Sequence, residues 1–147
     1  MKFPICAALL ALAATTTASL AQTDAALAAA AKEPGAVVTS SGLVYRSLTD
    51  GKGASPTASD TVKVHYRGSF PDGREFDSSH KRGEPTEFPL NRVIKCWTEG
   101  VQRMKVGGKA KLTCPAAIAY GSRGAGGVIP PNATLQFEVE LLAVSGR

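Results

Sequence analysis

The sequence predicts an α+β fold in which an antiparallel β-sheet of five to six strands wraps around one short α-helix. Two observations lead to this prediction. Within Arg92–Met104, apolar residues recur at the spacing of one helix face, at Val93, Ile94, Trp97, Val101 and Met104. After residue 36, most other segments alternate polar and apolar residues, as half-buried strands do. Because a lone amphipathic helix must bury its apolar face, we expect the sheet to curl around it.

The predicted helix carries Trp97, the only tryptophan of the chain. Gly107 and Gly108 follow its apolar pattern and are suited to a left-handed cap that ends the helix. A buried tryptophan is more often core filler than the floor of a pocket. The helix by itself does not decide between these two roles.

Several segments have the alternation of strands. In Val62–Arg67 the apolar residues lie on one face and Lys63, His65 and Arg67 on the other, so His65 is expected to point to solvent. The other candidate strands are Ala36–Thr39, Leu43–Leu48, Lys109–Cys114 and Leu135–Leu141.

The first 35 residues are predicted to lie outside the folded domain, which spans residues 36–147. Residues 1–21 have the composition of a cleavable signal peptide, with Lys2, a short apolar run and small residues at Ser19–Ala21. The run is too short to span a membrane. Residues 22–35 form an alanine-rich linker or short helix, which we expect to be mobile. We therefore expect a periplasmic or secreted protein that is free of the membrane after cleavage.

Composition indicates one soluble globular domain, with 44% hydrophobic and 20% charged residues in 147. The net charge of +5 is modest and the basic residues are interleaved with acidic ones, so we expect no nucleic-acid binding. The two histidines, His65 and His80, do not have a metal-ligand spacing, and we expect no metal site.

The loop Tyr120–Asn132 is too apolar to serve only as a connection. Its glycines make it pliable, whereas Tyr120, Val128 and Ile129 suggest a binding rim. The candidate pocket comprises Tyr66, Phe76, Asp77, Ile94, Trp97, Tyr120, Ile129 and Phe137. The sequence shows no nucleophile beside a base, no carboxylate pair and no phosphate-binding loop. Asp77 could equally cap its loop, so residue patterns alone leave the function open.

Several motifs, in order and at matching spacing, together resemble the FK506-binding-protein family of peptidyl-prolyl cis-trans isomerases. They are VHYRG at 64–68, DGREFDSS at 72–79, VIKCWTEG at 93–100, AYG at 119–121, IPPNATL at 129–135 and FEVELL at 137–142. Each motif is weak alone, but the set is highly specific, and the resemblance covers roughly residues 41–144. The segment SGLVY at 41–45 is similar to the start of the domain in macrophage infectivity potentiator proteins.

The resemblance implies an antiparallel sheet wrapped on a short helix, and isomerase activity that needs no cofactor. Asp77, Tyr120 and Ile94 are the implied catalytic residues. The Ile94 N–H and the Tyr120 hydroxyl would donate to carbonyls of the bound chain, and Asp77 would border the twisting amide. The implied substrate-binding residues, with Trp97 as the floor beneath the proline ring, are Tyr66, Phe76, Val93, Trp97, Val128, Ile129 and Phe137.

Three positions depart from the family's pattern. Thr86 lies near a position where many relatives have an aromatic residue, and Ala125 replaces a bulkier loop residue, so weaker ligand binding is expected. Cys96 stands where the family usually has glycine, and both it and Cys114 are expected to face the helix–sheet interface. For an exported protein this favours a Cys96–Cys114 disulfide, with two buried free thiols as the alternative.

The family's ligands are proline-containing polypeptides and the macrolides FK506 and rapamycin, and we expect both here. Because the chain lacks the long amino-terminal dimerisation helix of the infectivity potentiator proteins, we expect a monomer. Two other functions stay open. One is a periplasmic chaperone (holdase) that binds with the same rim, and the other is a secreted virulence factor that binds host proteins. The loop Tyr120–Pro131 holds no large chaperone insertion, which favours the isomerase.

Overall fold

The computed structural model describes residues 25–145. The predicted signal peptide at 1–21, like residues 22–24 and 146–147, lies outside the described residues. The strands are β1 (Ala36–Val38), β2 (Val44–Thr49), β3 (Thr61–Ser69), β4 (Glu75–Ser78), β5 (Thr86–Pro89), β6 (Lys109–Cys114) and β7 (Leu135–Ser145). The helices are α1 (25–31), α2 (Ser79–Arg82) and α3 (Lys95–Gln102), with 3₁₀ turns at Leu90–Arg92 and Ala116–Ile118.

The strands form one antiparallel sheet in the order β1-β2-β6-β7-β3-β4. Strand β3 pairs with β7 along one edge. Its other edge is shared by two short strands, β5 at Thr61–Val64 and β4 at Arg67–Ser69. The predicted α+β fold is confirmed. The sheet has seven strands rather than five or six because two strands of four residues, too short to show alternation, share this edge.

Helix α3 begins three residues later and ends earlier than the apolar pattern predicts. Val93 is extended, with ψ 175°, and Ile94 is the N-cap, with ψ 151°, so both precede the helix rather than lie on it. Gly107 has the expected left-handed φ of 94°, but it lies in the turn before β6, where its N–H donates to the Leu141 carbonyl at 2.9 Å. The helical period therefore locates the helix but not its limits.

The buried face of α3 packs on the inner face of the sheet, where alternate residues of β3, β6 and β7 are fully buried. Gly100 allows this contact, because a Cβ at that position would lie 2.9 Å from the Leu112 side chain. Cys96 and Cys114, both fully buried, are joined by a disulfide that ties α3 to β6. The predicted disulfide is confirmed.

The sequence predicts a mobile linker or short helix before β1; the structure has helix α1 there, and the segment is anchored to the sheet. The Glu33 carboxylate accepts from Arg46 at 3.3 Å and from Lys111 at 3.0 Å. The Pro34 carbonyl accepts from Arg46 Nε at 2.9 Å, and Ala30 is only 4% exposed. These contacts hold the segment on β2 and β6, even though it has few large apolar side chains. Within residues 25–145, no helix has both the length and the apolar character needed to cross a membrane.

Candidate active site

A cavity of about 320 Å³ opens between the start of α3 and strands β3, β4, β5 and β7. It is lined by Tyr66, Phe76, Asp77, Phe88, Arg92, Val93, Ile94, Trp97, Tyr120 and Phe137. Eight of these ten are residues that the sequence predicts for the site, and the structure brings those eight together. The cavity is therefore the candidate active site.

Aromatic rings form the floor and walls of the cavity. The indole of Trp97 makes edge-to-face contacts with Tyr66, Phe88 and Phe137, with ring centroids 5.2, 5.4 and 5.4 Å away. Such contacts stabilise aromatic clusters by about 0.5–1.5 kcal/mol per pair beyond area burial. Trp97 is only 4% exposed, so it serves both the core and the cavity. The two roles that the sequence left open are filled by the same ring.

Gly68 makes room for two of these rings. A Cβ at this position of β3 would lie 2.6 Å from Cζ of Phe76 and 2.9 Å from Cε1 of Phe137. The two rings can therefore meet edge-to-face, 5.7 Å apart, directly against the backbone of β3. A glycine inside a strand often marks such a close approach.

A gap between β4 and β5 positions Tyr66. Because β5 pairs β3 as far as Val64 and β4 begins pairing at Arg67, the backbone of Tyr66 has no strand partner on this side. The buried Ser79 hydroxyl fills the gap. Its Oγ accepts from the Tyr66 N–H at 2.7 Å and lies 3.3 Å from the Tyr66 carbonyl. The backbone polar groups of Tyr66 are thus satisfied by the first residue of α2.

The Ser79 hydroxyl also contacts the His65 ring. Nδ1 of His65 lies 2.8 Å from Ser79 Oγ, and its ring stacks on His80 at 4.5 Å. The sequence predicts that His65 points to solvent, but α2 partly covers it, so it is half-buried. Within residues 25–145, no group of three or more His, Cys, Asp and Glu side chains is placed to hold a metal ion.

Asp77 is held in a network with Tyr66 and Arg82. The Tyr66 hydroxyl donates to Asp77 Oδ2, while Oδ1 accepts from Arg82 Nη1 at 2.7 Å and from the Ser78 N–H at 2.9 Å. Arg82 Nη2 also donates to the Tyr66 hydroxyl at 3.1 Å. The carboxylate is therefore paired at both oxygens and fixes the ring that forms one wall of the cavity.

The network sets the charge state of its members. Burial by itself would raise the pKa of Asp77, but hydrogen bonds from Tyr66 and Arg82 and the guanidinium charge hold that pKa below its usual 3.8. Burial raises the pKa of the Tyr66 hydroxyl, and the hydrogen bond to Asp77 raises it further. At neutral pH the wall thus presents a carboxylate already neutralised by Arg82 and a protonated phenol.

Two hydrogen-bond donors at the mouth of the cavity are unused. The Ile94 N–H precedes the helix and makes no hydrogen bond within the described part of the chain. The Tyr120 hydroxyl likewise has no partner among residues 25–145, and its side chain is 41% exposed. Both groups border the cavity, so both can donate to carbonyls of a chain bound in it.

Two predicted binding residues do not line the cavity. Ala125 and Ile129 exchange backbone hydrogen bonds at 2.9 Å in each direction, which folds the loop into a tight turn. Ile129 is 6% exposed and belongs to the core, whereas Val128 is 54% exposed on a separate surface of the loop. The turn thus separates these neighbours from the rim to which the apolar pattern assigned them.

Three residues of the site were missed by the sequence reasoning. Phe88 and Arg92 line the cavity, and Arg82 pairs with Asp77. Phe88 lies on β5, whose alternation is too short to identify as a strand. Arg82 reaches Asp77 only because a four-residue helix forms in a stretch that reads as a polar loop. The Ser78 N-cap and Gly83, with a left-handed φ of 79°, are the local signals that could have located that helix.

The fold and cavity agree with a known family of proteins. The sequence pattern of the FKBP-type peptidyl-prolyl cis-trans isomerases matches residues 52–142. The chain belongs to this family.

Within it, the chain is similar to FkpA and Mip proteins. It is 58% identical over 118 residues to the FKBP-type peptidyl-prolyl cis-trans isomerase FkpA of Aeromonas hydrophila, which covers 80% of this chain and 44% of that protein. It is 46% identical over 121 residues to the peptidyl-prolyl cis-trans isomerase Mip of Coxiella burnetii, which covers 82% and 53%. The crystal structure of FkpA from Escherichia coli superposes with a TM-score of 0.84 at 47% identity, covering 92% of this chain and 64% of that one. The chain spans about half the length of these two curated relatives.

Proposed function

We propose that this chain catalyses cis-trans rotation about Xaa-Pro bonds in exported proteins. The observation that carries the proposal is the cavity itself, which joins an aromatic floor to two unused hydrogen-bond donors at its mouth. A proline ring is apolar and fits such a floor, while the carbonyls on either side of it need donors. Membership of the isomerase family supports the same reaction.

The reaction requires no bond to be made or broken. Rotation about a peptide bond meets a barrier of about 18–20 kcal/mol, because amide resonance is lost as the bond twists. The twisted amide has less charge separation than the planar one, so a dry apolar wall favours it. Each ~1.4 kcal/mol of selective stabilisation speeds the rotation tenfold.

Four of the lining residues have a direct role in this scheme. Trp97 supports the proline ring, and the Ile94 N–H and Tyr120 hydroxyl hold the flanking carbonyls while the bond between them turns. Asp77 borders the amide, but its oxygens are already paired, so its main effect is to fix Tyr66 and Arg82. Because the network is neutralised internally, the wall does not favour the more polar planar amide.

The same cavity is the proposed site for FK506 and rapamycin, which fits the family's ligands. Thr86 accepts from Arg82 Nη2 at 3.2 Å, so this position offers a polar contact where many relatives offer an aromatic ring. We therefore expect macrolides to bind, with lower affinity than in relatives that have the aromatic. Titration of Trp97 fluorescence with FK506 measures this directly.

Export to the periplasm or medium is part of the proposal. The small residues at Ser19–Ala21 suit a signal peptidase, and the buried Cys96–Cys114 disulfide suits an oxidising compartment. Amino-terminal sequencing of the protein recovered from the periplasm should give Gln22. A monomer stays a prediction, which light scattering of the same material tests.

The reaction is tested with the chain from Gln22 and a short Xaa-Pro peptide, with and without FK506. We expect fast, drug-sensitive turnover. The Tyr120→Phe variant should lower kcat/KM about fivefold, since one hydrogen bond contributes about 1 kcal/mol. Asp77→Leu should lower it further because it leaves Arg82 unpaired beside Tyr66. Val37→Ser, at an exposed site on the sheet edge, is the matched control.

The same experiment also tests the alternative function, that of a holdase. No acceleration over buffer by a folded protein would overturn the isomerase and favour binding alone. Substitution of Asp77 or Tyr120 should reduce catalysis more than suppression of aggregation, and equal losses of the two activities would favour the holdase.

A further inference from the structure

Besides the cavity, the structure has a groove of about 760 Å³ along the outer face of α3. One side is formed by the helix, and the other by the 3₁₀ turns Leu90–Arg92 and Ala116–Ile118 and by the β1–β2 loop at Ser41. Apolar atoms contribute most of its exposed area, although only two of the lining residues, Val93 and Ile118, are apolar. The other lining residues are Ser41, Asn91, Lys95, Thr98, Glu99 and Gln102. The VIKCWTEG motif at 93–100 supplies half of its lining residues, but the sequence did not predict a groove there.

The groove is continuous with the candidate active site. Val93 lines both the aromatic cavity and the groove, because its extended backbone places it at the junction between them. The next residue, Ile94, carries the unused N–H that faces a bound chain. A polypeptide whose carbonyl accepts from Ile94 is therefore already at the entrance of the groove.

The walls of the groove are fixed by contacts within the fold. Thr98 Oγ1 donates to the Leu90 carbonyl at 2.6 Å, which ties α3 to one 3₁₀ turn. The Ser41 hydroxyl donates to Glu99, which ties the β1–β2 loop to the same helix. The Cys96–Cys114 disulfide joins α3 to the end of β6, two residues before the Ala116–Ile118 turn begins. A groove held open in this way needs little ordering when it binds a ligand.

We propose that this groove is an extended subsite for the client polypeptide, and this rests on the proposed isomerase function. It holds the segment that continues from the proline on one side, in an extended conformation. An apolar side chain of the client packs on Val93 and Ile118, while the exposed side-chain amide of Asn91 bonds to its backbone. Clients with an apolar residue beyond the proline-flanking position are thereby preferred over short peptides.

The test compares a short Xaa-Pro peptide with versions lengthened by about three residues, about 10 Å of extended chain, on either side. Exchange NMR measures kcat/KM for each peptide without a chromogenic group. For the unsubstituted chain, extension on one side with an apolar residue should raise kcat/KM about fivefold, the gain expected from partly burying one side chain. Extension on that side with a serine in its place should give a smaller gain.

Two variants assign the gain to the groove. Ile118→Ser removes the apolar wall, and Asn91→Trp blocks the groove from an exposed position, so at least one should fold. Each should reduce the ratio of kcat/KM between long and short peptides to about one, whereas the control Val37→Ser keeps the fivefold ratio. A ratio near one in the unsubstituted chain, or a ratio kept in both folded groove variants, would overturn the subsite. If the unsubstituted chain does not turn over even the short peptide, the isomerase function itself is overturned.

Discussion

The floor and the rim of the cavity border the same space but are built differently. At the floor, Trp97 and Phe137 are 4% and 5% exposed, and each ring contacts other rings of the core. At the rim, Tyr120 is 41% exposed and the Ile94 N–H has no partner within the described residues. The floor therefore couples binding to stability, whereas the rim can change binding or catalysis alone. Substitutions should separate into these two groups.

The largest effect is expected at the centre of the floor. Trp97→Ala should lower the free energy of unfolding by about 3–5 kcal/mol and abolish FK506 binding, because it empties the space shared by three aromatic neighbours. Urea unfolding followed by circular dichroism measures this, since the variant has no tryptophan to report.

Trp97→Phe is the matched control. The indole N–H is buried and has no hydrogen-bond partner in the described part of the chain, so its removal costs no hydrogen bond. The loss of stability should therefore be well below that of Trp97→Ala. If Trp97→Ala has unchanged stability, Trp97 behaves like a rim residue, and the floor does not couple binding to stability.

The disulfide should show a loss of stability without a loss of catalysis. Replacing Cys96 and Cys114 together by Ala should lower the free energy of unfolding by about 3 kcal/mol in the chain-entropy model for a loop of this size. Neither sulfur lines the cavity, so kcat/KM for a short peptide should change less than about twofold, below 0.5 kcal/mol. Reduction of the unsubstituted protein should give the same loss of stability, and a large fall in kcat/KM would mean that the bridge positions the site.

Gly68→Ala tests how tightly the floor is packed. The added Cβ must displace Phe76 or Phe137, so we expect a loss of about 1–3 kcal/mol in stability. Because these rings also line the cavity, FK506 affinity should fall as well. Gly126→Ala is the matched control, since a Cβ there meets nothing within 4 Å. Equal behaviour of the two variants would show that the rings move without cost.

The sequence was sufficient for the floor but only partly for the rim. The floor follows from periodicity, because apolar residues that alternate on β3 and β7 and recur on α3 must share one core. The rim depends on how short irregular segments turn. Val93 continues the helical pattern although its backbone is extended, and Val128 is apolar although the turn at Ala125–Ile129 directs it away from the cavity.

The polar network was not predictable for a related reason. The single turn of helix α2 places Ser79 against Tyr66 and Arg82 against Asp77. A four-residue segment is too short to show a helical period in the sequence. The backbone gap that Ser79 fills exists only because β4 and β5 stop short of each other on β3. Such contacts depend on where neighbouring strands end, which a single sequence specifies poorly.

The smallest effect is expected at the polar wall between floor and rim, and it depends on pH. The folded-state pKa of Asp77 is below its usual 3.8, so its charged form stabilises the fold above about pH 4. This contribution is lost as the pH falls through the folded-state pKa.

The difference in unfolding free energy between the unsubstituted chain and Asp77→Asn should therefore be constant near neutral pH and shrink below about pH 4. Because the Asp77 side chain is 41% exposed, the plateau should be at most about 1 kcal/mol. Urea titrations at matched ionic strength measure it, with Glu84→Gln, an exposed carboxylate outside the cavity, as the control. A difference that grows on acidification would mean that Asp77 is protonated in the folded protein, and the wall beside the amide would then be a hydrogen-bond donor.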